Sequence, residues 1–148
     1  MTEQDLRALF AQMTLEEKIG QLVQLDGGCF GTDAMAVGPR AKIGVTEETV
    51  NNCGSVLNVL GAEKIHEIQD RFLAKNRLKI PLLFMADVIY GYQTVFPIPL
   101  GLGATWNPDL IREDYKYIAE EASSDGDMVT FSPPVDLVRD ARWGRCLE

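Results

Sequence analysis

Two carboxylates at matching places in the sequence are the first candidates for chemistry. Asp87 follows the charge-free apolar run Leu82–Ala86, and Asp136 follows a second apolar run in the same way. Neighbouring parallel strands lie ~4.8 Å apart, so the two carboxyl groups could approach each other at the strand ends. Because retaining glycosidases place two carboxyl groups about 5–5.5 Å apart, an acid and nucleophile pair is one interpretation. A simpler one is that Asp136 forms ion pairs with Arg139 and Arg142.

Asp87 and the segment 142–145 each have one interpretation as a ligand-binding group and another as a purely structural group. Asp87 alone can bind sugar hydroxyls as a charge-assisted acceptor, or it can cap a helix or brace a loop. Arg142, Trp143 and Arg145 place two guanidinium groups around an indole, which can hydrogen-bond a diol and stack on a sugar ring. The same residues can form a surface ion-pair cluster. Gly144 favours a tight, specific backbone at this turn and therefore the binding interpretation.

The composition excludes several other kinds of site. His66 is the only histidine, so we expect neither a Ser-His-Asp triad nor a zinc site from this chain. An odd number of widely spaced cysteines indicates no disulfide framework and no CxxC metal site, and fits a reducing compartment. These cysteines are Cys29, Cys53 and Cys146. We expect no metal and no organic cofactor.

Charge and hydropathy exclude two classes of partner. The net charge is -8 and no basic run occurs, which argues against nucleic acid and against anionic membrane surfaces. The N-terminus lacks a basic segment followed by an apolar core, so no signal peptide is expected. No apolar run approaches the eighteen or so residues of a membrane span. Together these features predict a cytoplasmic protein.

The elements that must position the candidate residues begin with helices. The spacing of apolar residues predicts a helix over Thr2–Ala11. A T-x-x-E capping box at Thr14 and Glu17 starts a second helix, which is expected to end near Asp26–Gly28. Residues 29–52 are expected to be mostly loop, with one helical turn at 46–49.

Strands and helices alternate in the remainder of the chain. Strands are predicted at Gly54–Leu60, Pro81–Ala86 and Met128–Ser132, and helices at Gly61–Lys75 and Asn107–Asp125. This alternation predicts βαβ units, a parallel sheet and the α/β fold class. Three parallel strands do not close a sheet, and a (β/α)₈ barrel needs roughly 250 residues. We therefore expect part of a larger fold, with exposed sheet edges that favour association.

Long sequence motifs point to a known family. The segments IPLLFMADVIYGYQTVFPIPLGLGATWNPDL, at 80–110, and VTFSPPVDLVRDARWGRCLE, at 129–148, strongly resemble the N-terminal domain of glycoside hydrolase family 3, the bacterial β-glucosidase-like enzymes. MTLEEKIGQLVQL and GSVLNVLGAEKIHEIQ are similar to that family too. The resemblance covers nearly the whole chain.

The resemblance implies a fold and an activity. It implies a partial (β/α)₈ TIM-type barrel, with residues 1–148 as the truncated N-terminal portion of the catalytic domain: about the first three β/α units and the preceding helices. The intact enzyme would hydrolyse β-glucosides with retention. In the family the nucleophilic aspartate lies on a later strand and the acid/base in a following domain. We therefore expect no catalytic residue in this chain.

The resemblance also assigns binding residues. Asp87 matches the aspartate of the family's D-V-I-x-G motif, which binds glycone hydroxyls, and Arg145 matches the last arginine of R-W-G-R. Tyr90 stands where many members have histidine, and Ala141 where many have proline. Tyr90 and Trp143 are further candidates for contact with the sugar.

Two functional hypotheses follow. In the first, the chain supplies sugar-binding residues to a β-glucosidase-like enzyme that acts on a β-glucoside or oligosaccharide. In the second, it is a non-catalytic truncated remnant, or one half of a split barrel that needs the rest of the barrel as a partner. Under both hypotheses the 148-residue chain alone is expected to be inactive and prone to self-association.

Overall fold

The computed structural model describes residues 1–31 and 44–148. These fall into two compact units, Met1–Phe84 and Met85–Glu148. The elements of the first unit are α1 (Glu3–Gln12), α2 (Leu15–Gly20), β1 (Gln24–Asp26), a 3-10 turn (Gly27–Phe30), α3 (Glu47–Asn52), β2 (Ser55–Leu57) and α4 (Ala62–Lys75). Strand β3 (Leu83–Ala86) spans the boundary, and α5 (Pro99–Ala104), α6 (Pro108–Asp125) and β4 (Val129–Thr130) complete the second unit.

The strands form one α/β sheet with the order β1-β2-β3-β4. Strands β1 and β2 pair in parallel, with Gln24 opposite Ser55. Strands β3 and β4 also pair in parallel, with Met85 opposite Val129. The alternation of strands and helices thus produces the parallel sheet that the sequence predicted. The part of the prediction for 29–52 that concerns residues 32–43 lies outside the described residues.

Both N-terminal helices begin with reciprocal capping. The Thr14 N–H donates to Glu17 Oε2 at 2.9 Å, and the Glu17 N–H donates to Thr14 Oγ1 at 3.2 Å. Thr2 and Asp5 form an equivalent box at the start of α1. Each box satisfies backbone donors that have no partner inside the helix. The capping box predicted at Thr14 is confirmed.

The predicted length of the second helix is wrong. Helix α2 ends at Gly20, and residues 24–26 form β1, so the sheet has four strands where the sequence predicted three. Gly20 lies against α3, because a Cβ atom there would be 2.3 Å from the Asn52 carbonyl oxygen. The Gly54 N–H then donates to the Val23 carbonyl at 3.1 Å. This pairing with a distant segment ends the helix and forms a strand.

The core of the first unit lies around β2, α4 and the start of β3. Its buried side chains include Val56, Ile68, Phe72 and Phe84. Arg77, which follows α4, donates to both Glu17 oxygens at 2.8 and 2.7 Å and to the Gln12 carbonyl at 2.8 Å. The hydrogen bond from Arg77 lowers the pKa of Glu17 to about 2.

The second unit has its own small core. Ala86, Val88, Ile118 and Ala122 are buried, with Tyr92, Phe96 and Tyr115 packed around them. Helix α6 starts at the predicted N-cap, where the Leu110 N–H donates to Asn107 Oδ1 at 3.2 Å. It ends at Gly126 in the left-handed conformation, with a φ of 107°. Helix α5 was not predicted, and β4 is shorter than expected.

Among the described helices, none combines the length and the apolar character that crossing a bilayer requires.

Candidate functional site

Asp87 lies directly after β3, and the backbone on both sides of it is fixed by the end of β4. The Phe131 N–H donates to the Ala86 carbonyl at 3.3 Å. The Val88 N–H donates to Thr130 Oγ1 at 3.3 Å, and the Ser132 hydroxyl donates to the Val88 carbonyl at 2.5 Å. Asp87 itself is exposed. The parallel strands therefore hold a carboxylate at their carboxyl end, where α/β folds place ligand-binding groups.

The loop after Asp87 carries Tyr90 on a tight turn. The Phe96 N–H donates to the Tyr90 carbonyl at 2.8 Å, and Gly91 pairs with Val95 in an isolated antiparallel bridge. Gly91 has a φ of 115°, and a Cβ atom there would lie 1.9 Å from the Thr94 carbonyl oxygen, so only glycine fits. Tyr90 is 42% exposed and accessible to a ligand.

Helix α6 supports this loop through the side chains of Glu121 and Tyr115. Glu121 Oε2 accepts from the Gln93 and Thr94 N–H groups at 3.0 and 2.9 Å, and Oε1 accepts from the Thr94 hydroxyl at 2.7 Å. The Tyr115 hydroxyl donates to the Ile89 carbonyl at 2.9 Å. The hydrogen bonds from Thr94 and Gln93 lower the pKa of Glu121, and the largest contribution comes from the Thr94 N–H. Sequence reasoning treated α6 as a helix alone and missed these contacts.

Arg145 is an exposed residue in the turn at 141–147. Its Nε donates to Glu148 Oε2 at 2.7 Å, and its Nη2 contacts the same oxygen. The pKa of Arg145 is raised, first by this hydrogen bond, and also by the charges of Asp87 and Asp136. The structure thus brings Asp87 and Asp136 each within electrostatic range of Arg145.

The other arginine of the motif has a different partner from the one expected. Arg142 Nε donates to Asp140 at 2.9 and 3.1 Å, so it pairs with Asp140 instead of Asp136. This pair lowers the pKa of Asp140. Trp143 lies between the two arginines in the sequence and is 53% exposed, and its backbone N–H donates to the Asp140 carbonyl at 3.0 Å. Arg142 therefore belongs to a surface ion pair, but the predicted pairing of Arg142 with Asp136 is wrong.

An open cleft of ≈ 420 Å³ adjoins Arg145. One wall comes from α5 and Trp106, and the other from the segment after β4, including Asp136 and Glu148. Trp106 is 91% exposed and has a φ of 53°, unusual for a residue other than glycine. A guanidinium beside two carboxylates offers both donors and acceptors for the hydroxyl groups of a polar ligand.

A buried acid lies near a second cavity, away from these groups. Asp127 is 6% exposed and helps line a space of ≈ 190 Å³ between α6 and β4. Burial raises the pKa of Asp127 to about 6, and the charge of Asp125 adds to this. The Tyr92 side chain lowers that pKa in part, although no contact of hydrogen-bonding geometry reaches either carboxylate oxygen. No sequence signal identified this residue.

Within residues 1–31 and 44–148, no three His, Cys, Asp or Glu side chains come together as a metal ion would require. The Cys53 thiol is buried, and burial raises its pKa to about 12. A thiol that stays protonated at neutral pH is a poor nucleophile. The exposed groups around Asp87 and Arg145 are therefore the best candidate site.

Comparisons with known proteins agree on the family. The model of the glycosyl hydrolase family 3 N terminal domain matches residues 14–148. A periplasmic beta-glucosidase of Salmonella typhimurium is 39% identical over 142 residues, 95% of this chain and 17% of that protein. A putative beta-xylosidase of Formosa agariphila is 30% identical over 160 residues, 99% of this chain and 21% of that protein.

A solved structure agrees in fold as well. The beta-glucosidase of Listeria innocua in complex with glucose superposes with a TM-score of 0.92 and 47% identity. That match covers 100% of this chain and 21% of the other. The chain therefore spans about a fifth of the length of the relatives it matches.

Proposed function

The chain belongs to glycoside hydrolase family 3, and from this we propose that it serves as the sugar-holding part of a β-glucosidase-like enzyme. The reaction of the whole enzyme is hydrolysis of O-glycosyl bonds in β-glucosides with retention. We propose β-glucosides as substrates in place of β-xylosides, because the Salmonella and Listeria β-glucosidases are 39% and 47% identical to this chain and the putative β-xylosidase is 30% identical. A partial TIM-type barrel is the architecture that fits this role.

One observation carries the assignment of residues: Arg145 lies within electrostatic range of Asp87, where β3 ends. A carboxylate accepts hydrogen bonds from adjacent sugar hydroxyls, and a guanidinium donates to the same kind of group. Together they can fix the orientation of the glycone. Tyr90 adds a hydroxyl and Trp143 an indole face to this surface, and both are partly exposed.

The bond-breaking groups of the proposed reaction lie outside these 148 residues. An aspartate supplied by another part of the barrel attacks the anomeric carbon as the glycosidic bond breaks, and an acid outside this chain protonates the departing oxygen. Water, deprotonated by the same group, then hydrolyses the glycosyl-enzyme and releases the sugar and the free aspartate. Asp87 and Arg145 hold the sugar through both steps. The proposed mechanism needs no metal and no organic cofactor. A cytoplasmic location also stays a prediction, which cell fractionation tests; the Salmonella relative is named as periplasmic.

Binding of glucose to the purified chain tests the sugar-holding role. We expect Asp87→Asn to weaken binding about tenfold, because a hydrogen bond to a charged group contributes ~1.5–3 kcal/mol and 1.4 kcal/mol is tenfold. Asp109→Asn is the matched control, since Asp109 is 90% exposed and pairs with Arg112. Equal affinity in the two variants would contradict the assignment. Turnover of an aryl β-glucoside by the chain alone would contradict the absence of the nucleophile.

The alternative is a chain that acts only together with a partner, such as the other half of a split barrel. Exposed apolar side chains near β4 favour a surface of that kind, with Val135 91% and Leu137 88% exposed. We expect the chain to self-associate, which sedimentation at several concentrations measures. A monodisperse monomer with cooperative unfolding would count against this alternative. Recovery of aryl β-glucosidase activity on adding the missing barrel segments would support it.

A further inference from the structure

We propose that Glu121 is a positioning residue for sugar binding. Its carboxylate, carried by α6, holds the turn at Gln93–Thr94 and thereby fixes the loop that presents Tyr90 after Asp87. This inference rests on the proposed function, because it names a residue that supports the same sugar-binding surface without touching the sugar.

Glu121 contacts the tip of the loop directly. Two successive backbone N–H groups, of Gln93 and Thr94, donate to one oxygen of Glu121, and the Thr94 hydroxyl donates to the other. Successive N–H groups around an anion form a specific, directional site. Asp125, one turn further along α6, accepts from Gln93 Nε2 at 2.8 Å. The tip of the loop is therefore attached to a rigid helix at two points.

Backbone contacts join the tip of the loop to Tyr90. The loop closes on itself through the bridge between Gly91 and Val95 and through the Phe96 N–H on the Tyr90 carbonyl. Gly91 permits the close approach to Thr94 that this closure needs. A displacement of the tip is therefore passed to Tyr90 by backbone contacts.

The residues between Asp87 and Tyr90 are held by side chains from two elements. The backbone of residues 88 and 89 is held by the Thr130 and Ser132 side chains and by Tyr115, which lies on the same helix as Glu121. Asp87 is thus fixed from the strand side by β4, and Tyr90 from the helix side by α6. Such a loop is ordered before the ligand arrives, so binding does not have to order it.

Amide hydrogen exchange on the 148-residue chain tests the contact independently of any sugar. Glu121→Ala should remove the protection of the Gln93 and Thr94 amides. Glu121→Gln should keep it, because a glutamine oxygen can still accept both N–H groups and its amide can donate to the Thr94 hydroxyl. Glu120→Ala is the matched control at the preceding position of α6, where the side chain pairs with Lys116 at 3.9 Å. Unchanged protection in Glu121→Ala would overturn the inference.

Glucose titration tests the consequence for binding. We expect Glu121→Ala to weaken glucose binding ~5–10-fold, since the loop must then be ordered on binding, whereas Glu121→Gln and Glu120→Ala should bind like the wild type. A purely structural role would lower the melting temperature and leave the glucose affinity of the folded protein unchanged. That result would overturn this inference and leave the proposed function intact. Failure of the wild-type chain to bind glucose would instead overturn the proposed function, and this inference with it.

Discussion

Replacing Asp127 by asparagine should stabilise the second unit at neutral pH and lose that advantage in acid. Asparagine has the shape of aspartate and carries no charge, so the substitution removes the ionised form and leaves the volume unchanged. Asp127 is 6% exposed, and neither carboxylate oxygen has a partner of hydrogen-bonding geometry among the described residues. An ionised carboxylate in that position is removed from bulk water, and the nearby charge of Asp125 opposes its ionisation.

The size of the effect follows from the pKa. Burial raises the pKa of Asp127 from 3.8 to about 6. Each pKa unit corresponds to about 1.36 kcal/mol, so ionisation lowers the free energy of unfolding by up to ~3 kcal/mol. Because the folded-state pKa is the higher one, the native state binds the proton more tightly. The related stability is fully present below pH 3.8 and is lost as the pH rises to about 6.

Asparagine does not recover the whole of that amount. Its amide is also polar, and a buried amide without partners costs ~1–3 kcal/mol. We therefore expect Asp127→Asn to raise the free energy of unfolding by up to about 2 kcal/mol at pH 7.5. Near pH 4 the wild-type carboxyl is protonated, so the two proteins should be equally stable or the wild type slightly more so.

Urea unfolding followed by tryptophan fluorescence measures this in the correct unit. The sequence contains two tryptophans, Trp106 and Trp143, and both lie in the second unit. Wild type, Asp127→Asn and the control Asp70→Asn, which changes an exposed aspartate of α4, are compared at pH 4 and pH 7.5. If the difference between wild type and Asp127→Asn is the same at both pH values, the reasoning from burial is refuted.

Three further changes test the packing described above. Gly91→Ala should cost ~1–3 kcal/mol, because the loop holds a φ of 115° there and a Cβ atom would overlap the Thr94 carbonyl. Gly103 lies in α5 with nothing within 4 Å of an added Cβ atom, so Gly103→Ala should be neutral or stabilise by up to ~1 kcal/mol. Urea unfolding compares the two variants. Phe84→Ala should cost ~3–5 kcal/mol as a loss of core volume in the first unit, which urea unfolding followed by circular dichroism measures. A cost below ~1 kcal/mol would contradict its burial at 2% exposure. Arg77→Ala should release the capping region of α2, which faster amide exchange at Glu17 would reveal, and unchanged exchange there would contradict the role of this ion pair.

The elements that the sequence predicted correctly are those specified by neighbouring residues. The capping box at Thr14 uses residues three positions apart, and the Asn107 cap and the Gly126 end of α6 are equally local. Each satisfies backbone groups within one turn, so a short stretch of sequence contains the whole signal. Asp87 was placed correctly at the end of a strand for the same reason, because an apolar run directly precedes it.

The features that the sequence missed depend on distant segments. The apolar spacing of residues 15–25 suits a helix face, and only pairing with residues 55–57 makes part of it a strand. Pro99 starts α5 because proline suits a first helical turn, but the glycines that follow it suggested a loop. Arg142 had several acidic neighbours, and geometry selected Asp140. The buried position of Asp127 arises only when α6 packs beside β4.

The ion pair between Arg77 and Glu17 also sets a time order for synthesis. Its partners are 60 residues apart, so the junction between α1 and α2 is made long before the side chain that holds it. At translation rates of ~5–20 residues per second, that interval lasts about 3–12 s. During it, two short helices with the exposed apolar side chains of Leu6, Phe10 and Ile19 lack this anchor. A chaperone that binds nascent chains would therefore find a target in these two helices during that interval.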